Sequence, residues 1–573
     1  MPSTDSTINP ADCLPVGISD FGKLIQGHHT FVDKSLLIRD IIRSGAEVTF
    51  INRPRRFGKT LNLSMLHHFF AGRIAEQPTR HLFDGLAIAG DPASMAHQGQ
   101  YPVVFFTFKG IKERNFDAAV DKLRASVAEL YLNYPELIDS PRLAEEQRAK
   151  VATIRAEKAN LTDLGNAFKT LSDYLYLHYQ KPVLLLIDEY DTPIQSAYLH
   201  GFYQDMVDLM RNLLGEGLKD NSSLYKAVVT GILRVSRESL FSGLNNLELY
   251  TVLDDRYSQY FGFTEEETER LLGDFDARNL TADIQSWYNG YQFGSRVIYN
   301  PWSIINCLKQ GGQMRPYWLN TSDNGLLKRL MARADAGFKQ KLEQLIQERS
   351  VEELVDPNIV FGDLNKSTTA LWSLLLFSGY LTASDPRYDR RGTVTCRLYV
   401  PNEEVLGLYE RHIGEWFSDT MDSAGYGAFL NCLVTGNLEE FEMRLAEYLR
   451  ESASYFDVGH HHPEKFYHGL VLGLIAGLKD THVIYSNRES GYGRYDVAVL
   501  PRETAPDDQR LGLLLEFKAV KDSESLQDAA RAARRQIDER RYQTELELHK
   551  TGRIVKIGLA FEGKRVVMAH TDE

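Results

Sequence analysis

Two clusters of residues in this chain combine carboxylates with basic side chains in patterns that suit phosphate chemistry. The first cluster follows an apolar run and leads into a helix, and it consists of Arg53, Pro54, Arg55, Arg56, Phe57, Gly58, Lys59, Thr60 and Leu61. In such a loop the backbone N–H groups and the helix N-terminus face phosphates, the lysine contacts the outer phosphates, and the threonine hydroxyl binds magnesium. The segment therefore predicts a site for ATP with Mg²⁺.

The loop departs from the usual pattern at one position. Glycine is expected five residues before Gly58, and this chain has Arg53 there, followed by Pro54. A proline restricts the residue before it to an extended backbone, so we expect the strand to continue where a glycine would otherwise turn. The arginines of the loop would add positive charge near the phosphates.

The carboxylates that such a loop requires follow a second apolar run, which ends in Asp188 and Glu189. The carboxyl ends of parallel strands meet at one edge of a sheet, so both side chains are expected near the phosphates. We expect Asp188 to bind magnesium and Glu189 to polarise the attacking water. Thr230 ends a further strand and is either a sensor of the terminal phosphate or a strand cap. Arg234 and Arg237 are either arginine fingers or ordinary surface residues.

The second cluster lies near the C-terminus and suits metal-dependent hydrolysis of a phosphodiester. Asp496 lies early in one apolar strand, and Glu516 and Lys518 end the next. Alternate residues of a strand share a face, so Glu516 and Lys518 point the same way. Asp496 and Glu516 would bind Mg²⁺ or Mn²⁺, while Lys518 would orient and deprotonate water. Glu464 could complete the metal site from an upstream helix, and Gln536 could steady it from the following helix.

Three features have plainer alternatives. The second cluster could instead be an exposed strand end with a surface ion pair. The histidines at residues 460–462 could suggest zinc, but adjacent histidines on a loop cannot all turn toward one ion, so we favour an ordinary loop. Arg387, Arg390 and Arg391 are either DNA contacts or part of a solvated turn.

The chain has a net charge of −13, which argues against a protein that coats nucleic acid by bulk electrostatics. Its last part is balanced, because residues 501–573 contain 14 basic and 14 acidic residues. A predicted helix in this part carries five arginines that form either a solvated face or a phosphate-binding one. They are Arg531, Arg534, Arg535, Arg540 and Arg541.

Length and composition place the chain among folded proteins of several domains, since it has 573 residues and 43% hydrophobic residues. No apolar run approaches the length of a membrane span, so we expect no membrane partner. The N-terminus lacks the basic start and apolar stretch of a secretory signal, and the four cysteines are scattered. These features predict a cytoplasmic protein, and they leave a homo-oligomer open.

Together the motifs resemble those of bacterial AAA-ATPase-like proteins that are fused to a PD-(D/E)XK nuclease domain. The resemblance extends from about residue 14 to 565 and is carried by Phe31–Lys34, Arg53–Asn62, Ile187–Asp191, Thr230–Asn246, Tyr260–Glu265, Trp287–Tyr291, Tyr299–Ser303 and Leu371–Tyr380. It implies that the arginine-rich loop is a family variant that binds nucleotide. It also implies that the nuclease residues are Glu464, Asp496, Glu516, Lys518 and Gln536.

The predicted fold class is α/β and multidomain. Apolar runs at residues 46–51, 102–108, 183–188 and 225–230 alternate with helix-like stretches, which is typical of a parallel sheet with helices on its faces. A largely helical middle region ends in a predicted hairpin over residues 381–400. The predicted domains are a P-loop AAA-like ATPase domain over residues 1–255, a helical lid and winged-helix-like region over 256–401, a helical connector over 402–455, and a restriction-endonuclease-like α/β nuclease domain over 456–573.

The leading hypothesis is an enzyme that binds and hydrolyses ATP and that cleaves nucleic acid with the help of Mg²⁺ or Mn²⁺. DNA is its expected substrate. The resemblance implies a role in defence against phage or mobile elements. A regulatory switch, or a protein that binds nucleic acid without cleaving it, is the alternative. A motor that moves along DNA is less well supported, because the chain shows no helicase-like second lobe.

Overall fold

The computed structural model describes residues 13–233, 247–318, 330, 336–346, 350–359, 361–364, 367–390, 393–409, 423–451, 464–475, 477–478, 481–490, 493–503, 505–506, 509–520, 525–539 and 553–572. The chain forms two compact units. The first comprises Met1–Leu326 with Glu352–Glu404, and the second comprises Leu327–Val351 with Val405–Glu573.

Seventeen strands are present in the described ranges. They are β1 Val48–Asn52, β2 Arg73–Ile74, β3 Gln77–Pro78, β4 Val103–Thr107, β5 Val183–Asp188, β6 Leu224–Gly231, β7 Leu247–Tyr250, β8 Tyr291–Phe293, β9 Arg296–Ile298, β10 Val351–Val355, β11 Thr382–Tyr388, β12 Val394–Tyr399, β13 His482–Ser490, β14 Gly493–Pro501, β15 Leu511–Ala519, β16 Arg553–Glu562 and β17 Arg565–Asp572.

The α-helices are numbered in chain order across both units. Those of the first unit are α1 Phe21–Gln26, α2 Leu36–Arg43, α3 Lys59–Phe70, α4 Pro92–Met95, α5 Phe116–Leu132, α6 Glu145–Arg155, α7 Leu161–Gly165, α8 Ala167–Tyr179, α9 Thr192–His200, α10 Tyr203–Leu218, α11 Glu265–Asp274, α12 Thr281–Tyr288, α13 Pro301–Lys309 and α15 Thr368–Phe377. Those of the second unit are α14 Ala336–Ile346, α16 Ser423–Thr435, α17 Leu438–Glu451, α18 Glu464–Leu474 and α19 Leu526–Glu539. No helix in the described ranges is both long and apolar enough to cross a membrane.

A parallel five-stranded sheet forms the centre of the first unit, in the order β4-β5-β6-β1-β7. Its four longer strands lie at the positions predicted from the apolar runs, and every residue of β1 and β5 is buried. Strands buried on both faces read as continuous apolar runs, which explains why the sequence reveals them. The edge strand β7 was not predicted, because its half-buried Leu-Glu-Leu-Tyr sequence is too short to stand out.

The middle region contains helices, the β8–β9 hairpin, and a three-stranded sheet in the order β10-β12-β11. The hairpin predicted over residues 381–400 is confirmed as the antiparallel pair β11 and β12, with an irregularity between Ser384 and Arg387. Arg387 forms an ion pair with Glu352, and both side chains are mostly exposed. This pairing partly occupies one of the arginines considered for DNA contact, and Arg391 lies outside the described residues.

The second unit is built on a mixed five-stranded sheet in the order β13-β14-β15-β16-β17. Only β15 and β16 are parallel, and α19 forms part of the connection between them. A parallel pair requires such a crossover, because a tight hairpin cannot return the chain in the same direction. The helix packs closely on β16 at Gly558, where a Cβ would overlap the Ala530 carbonyl and the Arg534 backbone nitrogen.

This close approach yields a stability prediction. Gly558→Ala should push α19 away from β16 and cost about 1–3 kcal/mol, as overpacked sites do. Gly427→Ala is the matched control, because Gly427 is an exposed residue of α16 and nothing lies within 4 Å of a Cβ added there. In thermal unfolding of the full chain, the Tm of the second unit should be roughly 2–10 °C lower than in wild type for Gly558→Ala. It should not be lowered for Gly427→Ala. Equal Tm values for the two variants would contradict the packing argument.

Candidate functional site

The nucleotide loop joins β1 to α3 and is held in shape by its own lysine. Lys59 is the first residue of α3 and is only 7% exposed. Its Nζ donates to the carbonyl oxygens of Arg53 at 2.9 Å and Pro54 at 2.8 Å. Burial lowers the pKa of Lys59, against the opposing effects of Glu189 and Asp188. The ammonium group therefore lies at the helix N-terminus, where phosphate oxygens are favoured.

Arg53 occupies the position where glycine is usual, and its side chain is fully buried. Its backbone N–H donates to the carbonyl of Gly231 at 3.1 Å, so the strand continues one residue beyond β1. The guanidinium lies over the rings of Phe261 and Phe293, at 5.7 and 5.1 Å from their centroids. It donates to the carbonyl of Asn52 at 2.9 Å, and burial lowers its pKa to about 10. The structure thus gives this side chain a packing role beneath the loop.

The next residues of the loop are held by side chains from the middle region. Pro54 packs against Gly379, a position with φ +86° where a Cβ would meet the proline ring. Trp318 is buried, and its Nε1 donates to the carbonyl of Arg55 at 3.0 Å. Arg55 itself donates to Gln195 Oε1 at 3.0 Å. The backbone before Gly58 is therefore fixed from outside the loop.

Arg56 and Phe57 complete this contact. The Arg56 guanidinium lies 4.3 Å from the centroid of the Trp302 ring, and Arg56 has a φ of 69°. Phe57 is buried and packs edge-on against Tyr291 and at a tilt against Phe293. Side chains at non-glycine positions with positive φ need such support, because that backbone region is sterically unfavourable.

The predicted magnesium ligands of the nucleotide site are brought together. Asp188 is fully buried at the end of β5, and its two carboxylate oxygens accept hydrogen bonds from Thr60 and Thr230, each at 2.7 Å. Burial raises the pKa of Asp188, while both hydroxyls oppose that shift. A threonine hydroxyl beside a carboxylate at the start of the loop helix is the arrangement in which both oxygens can reach one magnesium ion.

Glu189 follows Asp188 with a φ of 51°, which is unusual for a residue that is not glycine. Thr192 Oγ1 donates to Glu189 Oε2 at 3.2 Å and restrains the carboxylate. Such strain persists only where the surroundings impose it, and it often occurs at functional positions. The backbone here turns Glu189 out of the strand direction.

Asp191 is a site residue that the sequence argument quoted but gave no role. It is buried and accepts hydrogen bonds from the backbone N–H groups of Ile232 at 2.9 Å and Leu233 at 3.0 Å. These residues directly follow Gly231, the last residue of β6, so Asp191 fixes the backbone at the end of this strand. The signal available in the sequence was a third carboxylate close behind Asp188. Arg234 and Arg237 lie outside the described residues.

The second site lies where β14 and β15 run side by side. Asp496 Oδ2 accepts a hydrogen bond from the Phe517 backbone N–H at 2.8 Å, and the Asp496 N–H lies 3.4 Å from Glu516 Oε2. Glu516 is only 4% exposed. The antiparallel register, with Val497 opposite Leu515, places the two carboxylates next to each other. This adjacency is what the sequence predicted for a metal site.

Two further predicted residues approach Glu516. Gln536 donates from α19 to Glu516 Oε1. Lys518 is two residues after Glu516 on β15 and is half-buried, so it shares the strand face with the carboxylate. The glutamine fixes the orientation of the carboxylate, and the lysine is the basic side chain on the same strand face.

The upstream helix α18 supports the site. Glu464 is its first residue, and the Glu464 side chain lies outside the described part of the chain. His468, one turn later, is buried and its Nε2 donates to the Asp496 carbonyl at 3.0 Å. Burial lowers the pKa of His468 to about 4, so the ring is neutral at neutral pH. No signal in the sequence indicated that His468 supports this site, and the histidines at residues 460–462 lie outside the described residues.

The donor set fits a hard divalent cation with open positions. Within the described residues, no group of three or more His, Cys, Asp or Glu side chains could hold a metal ion. Magnesium does not require one, because it is usually bound by one or two carboxylates and keeps water or phosphate oxygens as its other ligands. Asp496 with Glu516, and Thr60 with Asp188, each match this requirement.

Comparison with known proteins identifies a family for each of the two domains. Residues 15–241 match the AAA-ATPase-like family, described as predicted AAA-ATPase, and residues 462–571 match the PD-(D/E)XK nuclease superfamily. The relative described as "uncharacterized protein in vnfD 5' region" of Azotobacter chroococcum mcd 1 is 31% identical over 402 residues, which are 68% of this chain and 68% of that protein. The solved Walker-type ATPase of Pyrococcus abyssi is 11% identical, with a TM-score of 0.35 over 66% of this chain and 94% of that chain. The chain belongs to the family of AAA-ATPase-like proteins that carry a C-terminal PD-(D/E)XK nuclease-superfamily domain.

Proposed function

We propose that this protein is a Mg²⁺- or Mn²⁺-dependent DNA nuclease whose activity is controlled by ATP binding and hydrolysis at the N-terminal site. The observation that supports cleavage best is the convergence of Asp496, Glu516, Gln536 and Lys518 on one end of the β14–β15 pair. A domain that only binds nucleic acid has no need for two adjacent carboxylates, a hydrogen-bond donor that orients one of them, and a lysine on the same face.

Each residue of this site has a distinct task in the proposal. Asp496 and Glu516 hold the divalent cation, which supplies charge stabilisation to the phosphate and acidifies a bound water when present. Lys518 orients the water and takes up its proton. Gln536 keeps Glu516 turned toward the metal position, and His468 fixes the backbone of Asp496 through its carbonyl. Glu464 contributes from the start of α18.

The N-terminal site provides the control. Lys59 and the loop N–H groups bind the phosphates, Thr60 and Asp188 hold magnesium, and Glu189 orients the attacking water. Thr230 connects the Asp188 carboxylate to β6, and Asp191 holds the backbone that follows β6. Loss of the terminal phosphate would therefore change the contacts at the end of β6. The family resemblance adds a biological role in defence against phage or mobile elements.

The nuclease proposal predicts a selective loss of cleavage. Glu516→Gln keeps the size of the side chain but removes its charge, so we expect cleavage of plasmid DNA in Mg²⁺ or Mn²⁺ to fall by at least about 100-fold. Glu562→Gln, in the same sheet but paired with Arg565, is the matched control and should cleave normally. ATP binding should be unchanged in both variants. A wild-type protein that binds DNA but cuts neither DNA nor RNA would instead support the binding alternative.

The Gln536 contact predicts a change in metal dependence. Gln536→Ala should lower cleavage by about 10–100-fold, as is usual when a partner of a metal ligand is removed. Because the carboxylate is still present, raising the Mn²⁺ concentration should recover part of the activity. The measurement is initial cleavage rate against metal concentration. A rate loss that no metal concentration improves would show that Gln536 does not act through metal binding.

The loop geometry predicts that two basic residues contribute differently to nucleotide binding. Lys59→Ala should weaken ATP binding by about 10-fold or more, since charge-assisted hydrogen bonds contribute about 1.5–3 kcal/mol. Arg53→Met should change the affinity by less than about threefold, because a buried charge can often be replaced by an apolar side chain of similar volume. Binding of a fluorescent ATP analogue measures both. A large loss of affinity in a normally folded Arg53→Met protein would show that Arg53 contacts phosphate.

A further inference from the structure

A groove in the second unit is lined by arginines that the proposed chemistry does not use. It lies between α19 and β17 and has a volume of about 450 Å³. Arg531, Arg534 and Arg535 line it from the helix, and Met568 and His570 line it from the strand. We refer to it as the arginine groove. Its concentration of basic side chains contrasts with the net charge of −13 on the whole chain.

Neighbouring carboxylates do not cancel this charge. Asp528 lies 3.9 Å from Arg531, and both side chains are more than half exposed, so this pair is weak. Asp538 forms a 2.9 Å ion pair with Arg534 and is shared with Lys556 at 2.8 Å. Arg535 has no ion pair among the described residues. Glu442 of α17 is a further carboxylate nearby, and it accepts a hydrogen bond from the Met568 N–H at 2.9 Å. Of the three lining arginines, only Arg534 has a close ion pair among the described residues.

The arrangement of the arginines suits a row of phosphates. Arg531 and Arg535 are one helical turn apart, which is about 6 Å along the axis. This spacing is close to that of successive phosphates on one strand of nucleic acid. Guanidinium groups bind phosphate oxygens through two parallel hydrogen bonds, and Arg534 keeps one buried Nε without a hydrogen-bond partner.

The groove and the catalytic carboxylates lie on different flanks of α19. Gln536 leaves α19 toward Glu516, while Arg531 and Arg534 leave it on another flank, toward β17. A strand of nucleic acid held in the groove would therefore pass beside the same helix that contacts the catalytic site.

We propose that the arginine groove holds the phosphodiester backbone of the nucleic acid substrate beside the site of cleavage. The proposal rests on the nuclease function proposed above. The groove contributes affinity and position through phosphate contacts, and the carboxylate site performs the cleavage.

The test is the salt dependence of DNA binding by the full-length protein in EDTA, where no cleavage occurs. Fluorescence anisotropy of labelled single-stranded and duplex DNA is measured over a NaCl series for wild type and for the Arg531→Ala/Arg535→Ala double variant. Loss of two phosphate contacts should reduce the slope of log affinity against log salt by about 1.4 on single strands and about 1.8 on duplex. Lys564→Ala/Arg565→Ala is the control, because it removes the same charge at the β16–β17 turn, outside the groove.

The outcomes separate this proposal from the nuclease proposal. A reduced slope in the groove variant alone, with an unchanged Tm, supports the groove whether or not the wild-type protein cleaves. Equal slopes for wild type and groove variant overturn it, even if the protein is an active nuclease. Equal reductions in both double variants also overturn it, since they indicate bulk charge. Millimolar pyrophosphate or ATP is also tested as a competitor of DNA binding. If the competition is lost in the groove variant while the salt slope of DNA binding is unchanged, the groove is a site for free anions, and the proposal is overturned as well.

Discussion

The nucleotide site depends on a buried arginine that takes the place of a glycine. Arg53 holds its guanidinium between Phe261 and Phe293, and its carbonyl accepts a hydrogen bond from Lys59. Arg53 therefore connects the packing of the middle region to Lys59, the lysine of the nucleotide loop. A glycine in this position would give the loop its turn but would anchor nothing. Here the shape of the loop is set by contacts with residues of the middle region, such as Phe293 and Trp318.

This arrangement changes how the loop can respond to a ligand. A glycine-rich loop can adjust its backbone around phosphates at little steric cost. In this chain Pro54 packs on Gly379, and Trp318 binds the Arg55 carbonyl, so a backbone shift must move these partners as well. Packed interiors deform poorly and tend to change between distinct arrangements. A loop that is fixed in this way is suited to transmit the state of the nucleotide to the middle region.

The sequence predicts the parts of this protein that follow from local pattern. The buried strands, the hairpin of β11 and β12, and the adjacency of Asp496 and Glu516 all follow from runs of apolar residues and from the alternation of side chains along a strand. The contacts that fix the sites do not follow from such patterns. Arg53 meets Phe261 about two hundred residues later, and Trp302 contacts Arg56 across a similar separation. Nothing in the sequence spacing of these residues indicates that they are neighbours.

The two sites share a principle in the way their carboxylates are held. Thr60 and Thr230 donate to Asp188, and Gln536 donates to Glu516. These donors are neutral, so they orient a buried carboxylate without supplying positive charge. A lysine or arginine in the same place would orient the carboxylate equally well, but it would compete with a divalent cation. Threonine and glutamine donors add no charge of their own, although the Lys59 ammonium still acts on Asp188 through space and opposes the rise in the pKa of that carboxyl that burial causes. Neutral donors of this kind therefore set the direction of a carboxylate rather than its charge.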